Sequence, residues 1–258
     1  MNIRLLASRE DIAGMNISQF IHSQLKDHLS IVGEISILSD QSVAESVPLA
    51  ATGIYLSRHS ARSLRPSLTV HPIGNFGPAE FGGRDATLVN CHSFLIKRFL
   101  LNIQELMIAG KYDLLFDYEI SLEVTHHGPY AESTIVFIEV GSSEPQWNDL
   151  EACRLIADAV NTTQFDNLSQ GSDWVSVIGF GGNHYATKFT RTMLETEFAF
   201  GHICAKYAIP HLNPGSIHQM IEKTFPTPEL VLFDKKGMKQ KQQIRTLLTD
   251  LGIEIKQI

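Results

Sequence analysis

The sequence predicts an α/β protein with a mixed, largely parallel sheet flanked by helices. Three observations lead there. Runs rich in Val, Ile and Phe alternate with runs of helical apolar spacing, the pattern of a layered fold. The 258 residues, 43% hydrophobic and 19% charged, have the length and composition of a globular chain with a sizeable core. No repeat or low-complexity stretch interrupts the alternation, and no apolar run reaches the ~18 residues that would span a bilayer.

Residues 3–7 read as a first strand, followed by a helix to about residue 26. Residues 31–38, 53–57 and Ser67–His71 read as strands. Residues 74–85, GNFGPAEFGGRD, are glycine-rich and form a loop. A helix fits 93–109, with Gly110 as its stop signal. Residues 120–125 and 134–140 are strands. Ser143-Glu144-Pro145-Gln146 fits a capping box with an early proline. Trp147, Leu150, Cys153, Ile156 and Val160 then recur at helical spacing and should face the sheet. Residues 174–180 form another strand, and Gly181-Gly182 turns the chain. A short helix fits 188–195 and a strand fits 198–205. Asn213-Pro214 opens a helix to about 223. A strand at 229–233, a helix at 238–248 and a strand at 253–258 close the chain. This order predicts one compact domain over residues 1–258, with any sub-domain boundary near 74–90.

The net charge of −7 excludes a strongly basic nucleic-acid coat. The C-terminal stretch differs: Lys235, Lys236, Lys239, Lys241, Arg245 and Lys256 stand against Asp234, Asp250 and Glu254. Such a tail suits either a phosphate contact or a solvated helix face. Cys91, Cys153 and Cys204 are far apart and odd in number, which argues against a disulfide framework and for a reducing cytoplasm. The N-terminal MNIRLLASRED lacks the apolar core of a signal peptide.

Motifs of the HExxH, GxSxG, Walker A and CxxC types are absent, and GFGGNH lacks the third glycine of a dinucleotide fingerprint. The eleven histidines are more informative. His59, His71, His126, His127 and His184 fall where strands end and loops begin. In open α/β sheets ligands gather there, and imidazole is both a metal ligand and a general acid/base. Successive strand residues face opposite ways, so His126 and His127 share a centre only if Gly128-Pro129 bends the backbone. Glu123, Thr125 and His127 would share a face, placing Glu123 behind His127 or in solvent. Glu139, inside the apolar run 135–140, is either a paired or metal-bound carboxylate or part of an exposed edge strand. Glu144 is either a functional carboxylate or a favourable charge at a helix start. Gly74, Gly77, Gly82, Gly83, Gly181 and Gly182 let backbone approach a ligand or simply make turns. Abundant histidine and carboxylate without thiolate pairs favour zinc, as one ion or two. Metal-assisted hydrolysis is the chemistry that follows.

The chain also resembles a known family at these residues. SRHS (57–60), TVHPIGN (69–75), the glycines at 82–83, EVTHHGP (123–129), FIEVGSSEPQW (137–147), GFGGNHYATKFT (179–190) and FGHICAKY (200–207) occur in order. They are similar to the archaeal and plant type of D-aminoacyl-tRNA deacylase. The resemblance implies a fold like that of phosphorylases and peptidyl-tRNA hydrolases. It also implies a zinc-dependent hydrolase that cleaves the ester of tRNA charged with a D-amino acid and so recycles mischarged tRNA.

With that substrate, zinc is expected on some of His59, His71, His126, His127 and His184, with Glu139 or Glu144 accepting the proton of the attacking water. The N–H groups of Gly181, Gly182 and Asn183 are candidates for holding the oxyanion. His202 or a water would assist the leaving ribose hydroxyl, and Lys188, Arg191 and the basic C-terminal helix would steer tRNA phosphates. A zinc peptidase or amidohydrolase, and an RNA-binding protein with a structural metal, are the competing readings. Monomer and small homo-oligomer both remain open, and no membrane partner is expected.

Overall fold

The first strand seeds a parallel sheet. The computed structural model describes residues 1–33, 36, 40–112, 117–169, 172–234, 241–249 and 253–258. β1 (Ile3–Ser8) is followed by α1 (Ile12–Ser18) and α2 (Ser23–Lys26), two short helices where a single one was expected. Asp11 caps α1 by accepting the Gly14 N–H at 2.8 Å. β2 (Leu29–Val32) starts earlier than the expected strand over 31–38, of which residues 34, 35, 37 and 38 lie outside the described residues. α3 (Gln41–Glu45) leads into β3 (Thr52–Ser60), which runs past its expected end through His59, and β4 (Ser67–His71) follows as expected.

β5 (Cys91–His92) leads directly into α4 (Ser93–Ile108), where the His92 ring caps the helix. β6 (Glu119–Leu122) stops short of the expected residue 125, and β7 (Thr134–Ser142) is the longest strand of the middle region. The helix expected from 143 to 160 is broken in two. α5 (Glu144–Trp147) is one turn, and α6 (Leu150–Asn161) starts afresh from its own cap, Asp149. The capping box at 143–146 does not form, because the Ser143 hydroxyl donates to Gln146 Oε1 at 2.6 Å instead of serving the backbone.

β8 (Val175–Phe180), α7 (Thr187–Glu195) and β9 (Phe198–Cys204) follow closely as read. Asn213 opens α8 (Pro214–Glu222) with a reciprocal capping box through Ser216. β10 (Thr224–Phe225), β11 (Leu230–Phe233), α9 (Lys241–Thr249) and β12 (Glu254–Gln257) complete the chain. The expected helix start at 238–240 and the cations Lys235, Lys236 and Lys239 lie outside the described residues.

The strands form a six-stranded sheet in the order β2-β1-β3-β7-β4-β6, a four-stranded sheet β12-β11-β8-β9, and the pair β10-β5. Among the described residues every strand-to-strand pairing is parallel except β4 with β7. This is the mixed, largely parallel architecture of the sequence reading. The main core joins both sheets: Val136, Ile138 and Val140 of β7 pack with Phe99 and Leu100 of α4, Leu155 of α6, and Phe200 and Leu232 of the smaller sheet. On the other face of β7, Ile135 and Phe137 join Leu6, Tyr55 and Val43 in a smaller cluster. Glu139 belongs to that second face by strand alternation. The run looked uniformly apolar because both faces are buried.

Lys97 clamps the helices to the smaller sheet. It is buried on α4, and its ammonium donates to Met193 O at 2.8 Å, Phe198 O at 3.0 Å and Thr196 O. Burial pulls its pKa down to about 8, so it is still charged at pH 7. Lys97→Met should cost about 3 kcal/mol by leaving these carbonyls without a charged donor, read as a lower urea midpoint at an unchanged m-value. Among the described residues, no helix is long and apolar enough to cross a membrane.

Candidate active site

The site lies on the second face of the six-stranded sheet, and its histidines sit at or just past strand ends, as expected: His59 and His71 close β3 and β4, His126 and His127 follow β6, and His184 follows β8. His59 pairs across β7 with Gly141, Ser57 and Thr69 flank Glu139, and His71 pairs with Phe137. Because β4 runs against β3 and β7, the end of one strand lies beside the middle of another, and donors from opposite ends meet over Glu139. A Cβ on Gly141 would stand 2.6 Å from the His59 Cβ, so only glycine lets that side chain lie across β7. Asp11 fixes the approach to His59 by accepting the Ser57 hydroxyl and the Arg58 N–H, both at 2.9 Å. The Trp147 indole N–H donates to His59 O at 2.8 Å.

Beyond β6 the strand pattern lapses, and His127 adopts φ 45°. That left-handed backbone is uncommon for a non-glycine residue. It brings two consecutive rings to one place: His126 and His127 have centroids 4.3 Å apart, and His71 stands 4.5 and 5.0 Å from them. The turn falls at His127 itself, before Gly128-Pro129. His184 arrives from the smaller sheet because residues 184–186 run antiparallel beside 122–124, with Ala186 N bonded to Leu122 O at 2.9 Å and Val124 N to His184 O at 3.1 Å.

Two buried carboxylates organise the cluster. His59 Nδ1 is 3.1 Å from Glu123 Oε1 and 3.5 Å from Glu139 Oε2. His71 Nε2 is 3.4 Å from the same Glu139 oxygen, to which Thr69 donates at 3.3 Å. Glu123 Oε2 lies 2.8 Å from His184 Nε2 and 3.6 Å from His126 Nε2. Glu123 therefore faces His59, His126 and His184 and does not stand behind His127 as expected. Neither Glu123 oxygen nor His71 Nε2 has a partner at hydrogen-bond angles, although all three are closed to water. Such orphaned groups call for an explanation, and an ion is one.

The outer ring nitrogens fix the tautomers. His126 Nδ1 donates to Val124 O at 2.8 Å and His127 Nδ1 to Gly128 O at 2.6 Å, while His71 Nδ1 faces Pro72 O at 3.1 Å. A carbonyl only accepts, so Nδ1 carries the hydrogen. In neutral His126 and His127 the Nε2 lone pair is then free, the form that binds metals.

Burial opposes charge at every group. It pushes the His59 pKa down, but Glu123 and Glu139 outweigh it and raise the value to about 10. His71 is raised in the same way, chiefly by Glu139. Burial pushes the carboxylates up, yet the histidines hold Glu139 at about 2 and Glu123 well below its usual range. Burial and neighbouring imidazoles keep His127 down at about 4 and His126 well below its ordinary value. Without an ion, the two negative charges are balanced by protons on His59 and His71. Two donor sets within 4.8 Å, His59/Glu123/His184 and His71/His126/His127, have the chemistry of a divalent cation site. The cluster opens into a cavity of about 540 Å³ that reaches Glu139, Arg58, Trp147 and Phe81.

The structure thus brings His59, His71, His126, His127, His184 and Glu139 together. Glu139 is buried in a strand flanked on both sides, which removes the edge-strand alternative. Other expected residues stand apart. Glu144 is exposed on the first turn of α5, the helix-start position, and does not line the cavity. His202 is fully buried against Thr125 Oγ1 at 3.1 Å, with burial lowering its pKa to about 3. Gly181 spends its N–H on Cys204 O at 2.9 Å, and Asn183 is exposed. Gly181 and Gly182 have φ 119° and 74°, so their turn needs glycine for conformation. Lys188 faces Asp234 at 3.4 Å, and Arg191 pairs with Glu195 at 2.9 Å. Two further residues belong to the cluster: Glu123, as a direct member, and Tyr185, whose hydroxyl is 2.8 Å from His59 Nε2. The only sequence signal for Tyr185 was its place beside His184.

Fold and site together define an α/β protein with a buried histidine–carboxylate centre opening into a cavity. A family profile described as D-aminoacyl-tRNA deacylase matches residues 49–256, and the chain belongs to that family. A D-aminoacyl-tRNA deacylase of Staphylothermus marinus is 36% identical over 80% of this chain and 74% of its own length. One from Methanocaldococcus jannaschii is 33% identical over 98% of both chains. A crystal structure of a conserved protein of unknown function is similar at a TM-score of 0.84 and 27% identity, covering 99% of this chain and 95% of its own.

Proposed function

We propose that this chain hydrolyses the ester of D-aminoacyl-tRNA, releasing the free D-amino acid and tRNA, with zinc as cofactor. One observation carries the reading: the buried, ion-pairing cage of Glu123, Glu139 and five imidazoles meets an open cavity, which His59, His126, His127, His184 and Glu139 line. Family membership supplies the substrate class. A purely structural ion would need no such opening.

The orphaned Glu123 oxygens and the fixed tautomers fit a zinc ion. His59, Glu123 and His184 would hold one ion and His71, His126 and His127 another, with Glu139 between the sets. Zinc supplies Lewis acidity toward an ester carbonyl and lowers the pKa of water. Glu139, ionised and reaching the cavity, accepts the proton of the attacking water. The same carboxyl returns it to the departing ribose oxygen, so the proton balance closes within one residue. The Tyr185 hydroxyl holds the His59 ring from behind. The reading puts the enzyme in the cytoplasm with its tRNA.

Matched hydrolysis of D-tyrosyl-tRNA and L-tyrosyl-tRNA, before and after chelation, tests it. Release from the D-ester alone, lost with the metal and regained with zinc, is the expected result. Activity that survives complete metal removal would discard zinc and keep the deacylase. No cleavage by folded, zinc-loaded protein would overturn the reading, directing attention to peptide substrates or RNA binding alone.

A further inference from the structure

Phe81 lines the cavity, yet it is 71% exposed. Its loop holds it there. Gly82 and Gly83 take φ 80° and 88°, and the Asn75 side chain donates to Gly82 O at 2.9 Å. Phe81 O accepts the Gly128 N–H at 3.1 Å, which ties the loop to the residue after His127. The backbone of Phe81 is thus tied to the residue beside the histidine cluster while its ring stays open to solvent.

Three residues on, Arg84 lies over the Tyr130 ring, 3.7 Å from its centroid. No carboxylate among the described residues forms an ion pair with it. The Lys223 ammonium stands 5.9 Å from the same ring and donates to Leu88 O at 2.6 Å. Two cations thus converge on one tyrosine of a chain of net charge −7. Lys188 and Arg191, by contrast, already face carboxylates.

We propose that Phe81 is the platform on which the 3′-terminal base of the tRNA stacks, while Arg84 and Lys223 face the phosphates of the preceding nucleotides. The inference rests on the deacylase reading and adds the subsite that seats the nucleic acid. An ester held at the cage leaves the base one ribose away, toward the cavity mouth. An aromatic face accepts any base, and flanking cations track the backbone. The competing occupant of the Phe81 face is the amino-acid side chain.

The test combines turnover of D-tyrosyl-tRNA with equilibrium binding of an uncharged acceptor hairpin ending in CCA, by the full chain. Phe81→Ala should raise KM and the hairpin Kd about tenfold, the size of one lost base stack, with the loss falling on KM rather than kcat. Phe81→Trp should restore both. A hairpin abasic at its 3′ end should bind the wild type about tenfold more weakly and show no further loss with Phe81→Ala, the signature of two groups in contact. Arg84→Gln should reduce the salt slope of hairpin binding by about 0.7, one single-strand phosphate contact. Equal hairpin binding by wild type and Phe81→Ala, or an equal loss on the abasic hairpin, would overturn the platform. Normal cleavage with Phe81-independent binding leaves the deacylase and removes the platform. Base-dependent binding without any cleavage does the reverse.

Discussion

Glu123→Gln should reduce hydrolysis of D-tyrosyl-tRNA by about 10³-fold or more, the several kcal/mol that a metal contributes to an acyl-transfer transition state. The substitution keeps shape and removes charge. Glu123 is wholly buried, and His59, His126 and His184 all lie within 3.6 Å of its oxygens. A neutral amide offers one carbonyl oxygen, and its NH₂ donates to imidazole lone pairs that would otherwise bind the metal, so the cage loses an anionic ligand and has its remaining lone pairs occupied. Zinc content should fall with the rate, measured by elemental analysis after gel filtration. Glu144→Gln is the comparison: exposed and outside the cavity, it should remain near the wild-type rate. A folded Glu123→Gln protein with full zinc and full rate would remove Glu123 from the centre.

The second large effect is an alkaline loss of stability confined to metal-free protein. The folded pKa of His59 is raised to about 10, and His71 shifts the same way. A raised pKa means that the folded state holds a proton which the unfolded state releases near pH 6.5. The stabilisation is complete below about pH 6.5 and is lost as pH rises toward 10, by up to about 1.4 kcal/mol per pH unit for each proton. Glu139 acts on the acid side, where its contribution persists above the usual carboxylate range and is lost as pH falls through about 2. Zinc bound as proposed would replace the protons, so the loaded protein should show little of the alkaline slope. Zinc binding near pH 7 should release on the order of two protons, read by calorimetry in buffers of different ionisation enthalpy. Parallel pH–stability curves for apo and loaded protein would show that no such exchange occurs.

The fold was largely legible in the chain because most strands follow strong β-propensity runs and the helices carry clear caps, as at Asn213. Boundaries failed where tertiary contacts decide. β3 extends to His59 and Ser60 because β7 pairs with it along its whole length. Trp147 packs against the main core as its spacing suggested, and its indole N–H also donates to His59 O, a contact that spacing does not report. Six candidate site residues converge because histidine and buried carboxylate are conspicuous in apolar surroundings. Glu123 was misplaced because strict alternation was carried past Leu122, where the strand ends. Glu144, His202 and Arg191 share the residue types of the site without its geometry, and residue type alone does not report direction. Phe81 gave no signal, since a loop phenylalanine looks alike whether it is covered or exposed.

The antiparallel seam between β4 and β7 has a consequence for the assembly of the site. Thr69 and His71 reach Glu139 only in the observed register. A slip of one residue would turn both to the opposite face, into the main core. The same seam joins segments some 70 positions apart, Thr69 and Glu139 among them, and His184 comes later still. A nascent or misregistered chain therefore holds scattered imidazoles and no cage. Catalytic competence should switch on only once the smaller sheet has docked and brought His184 to the cage.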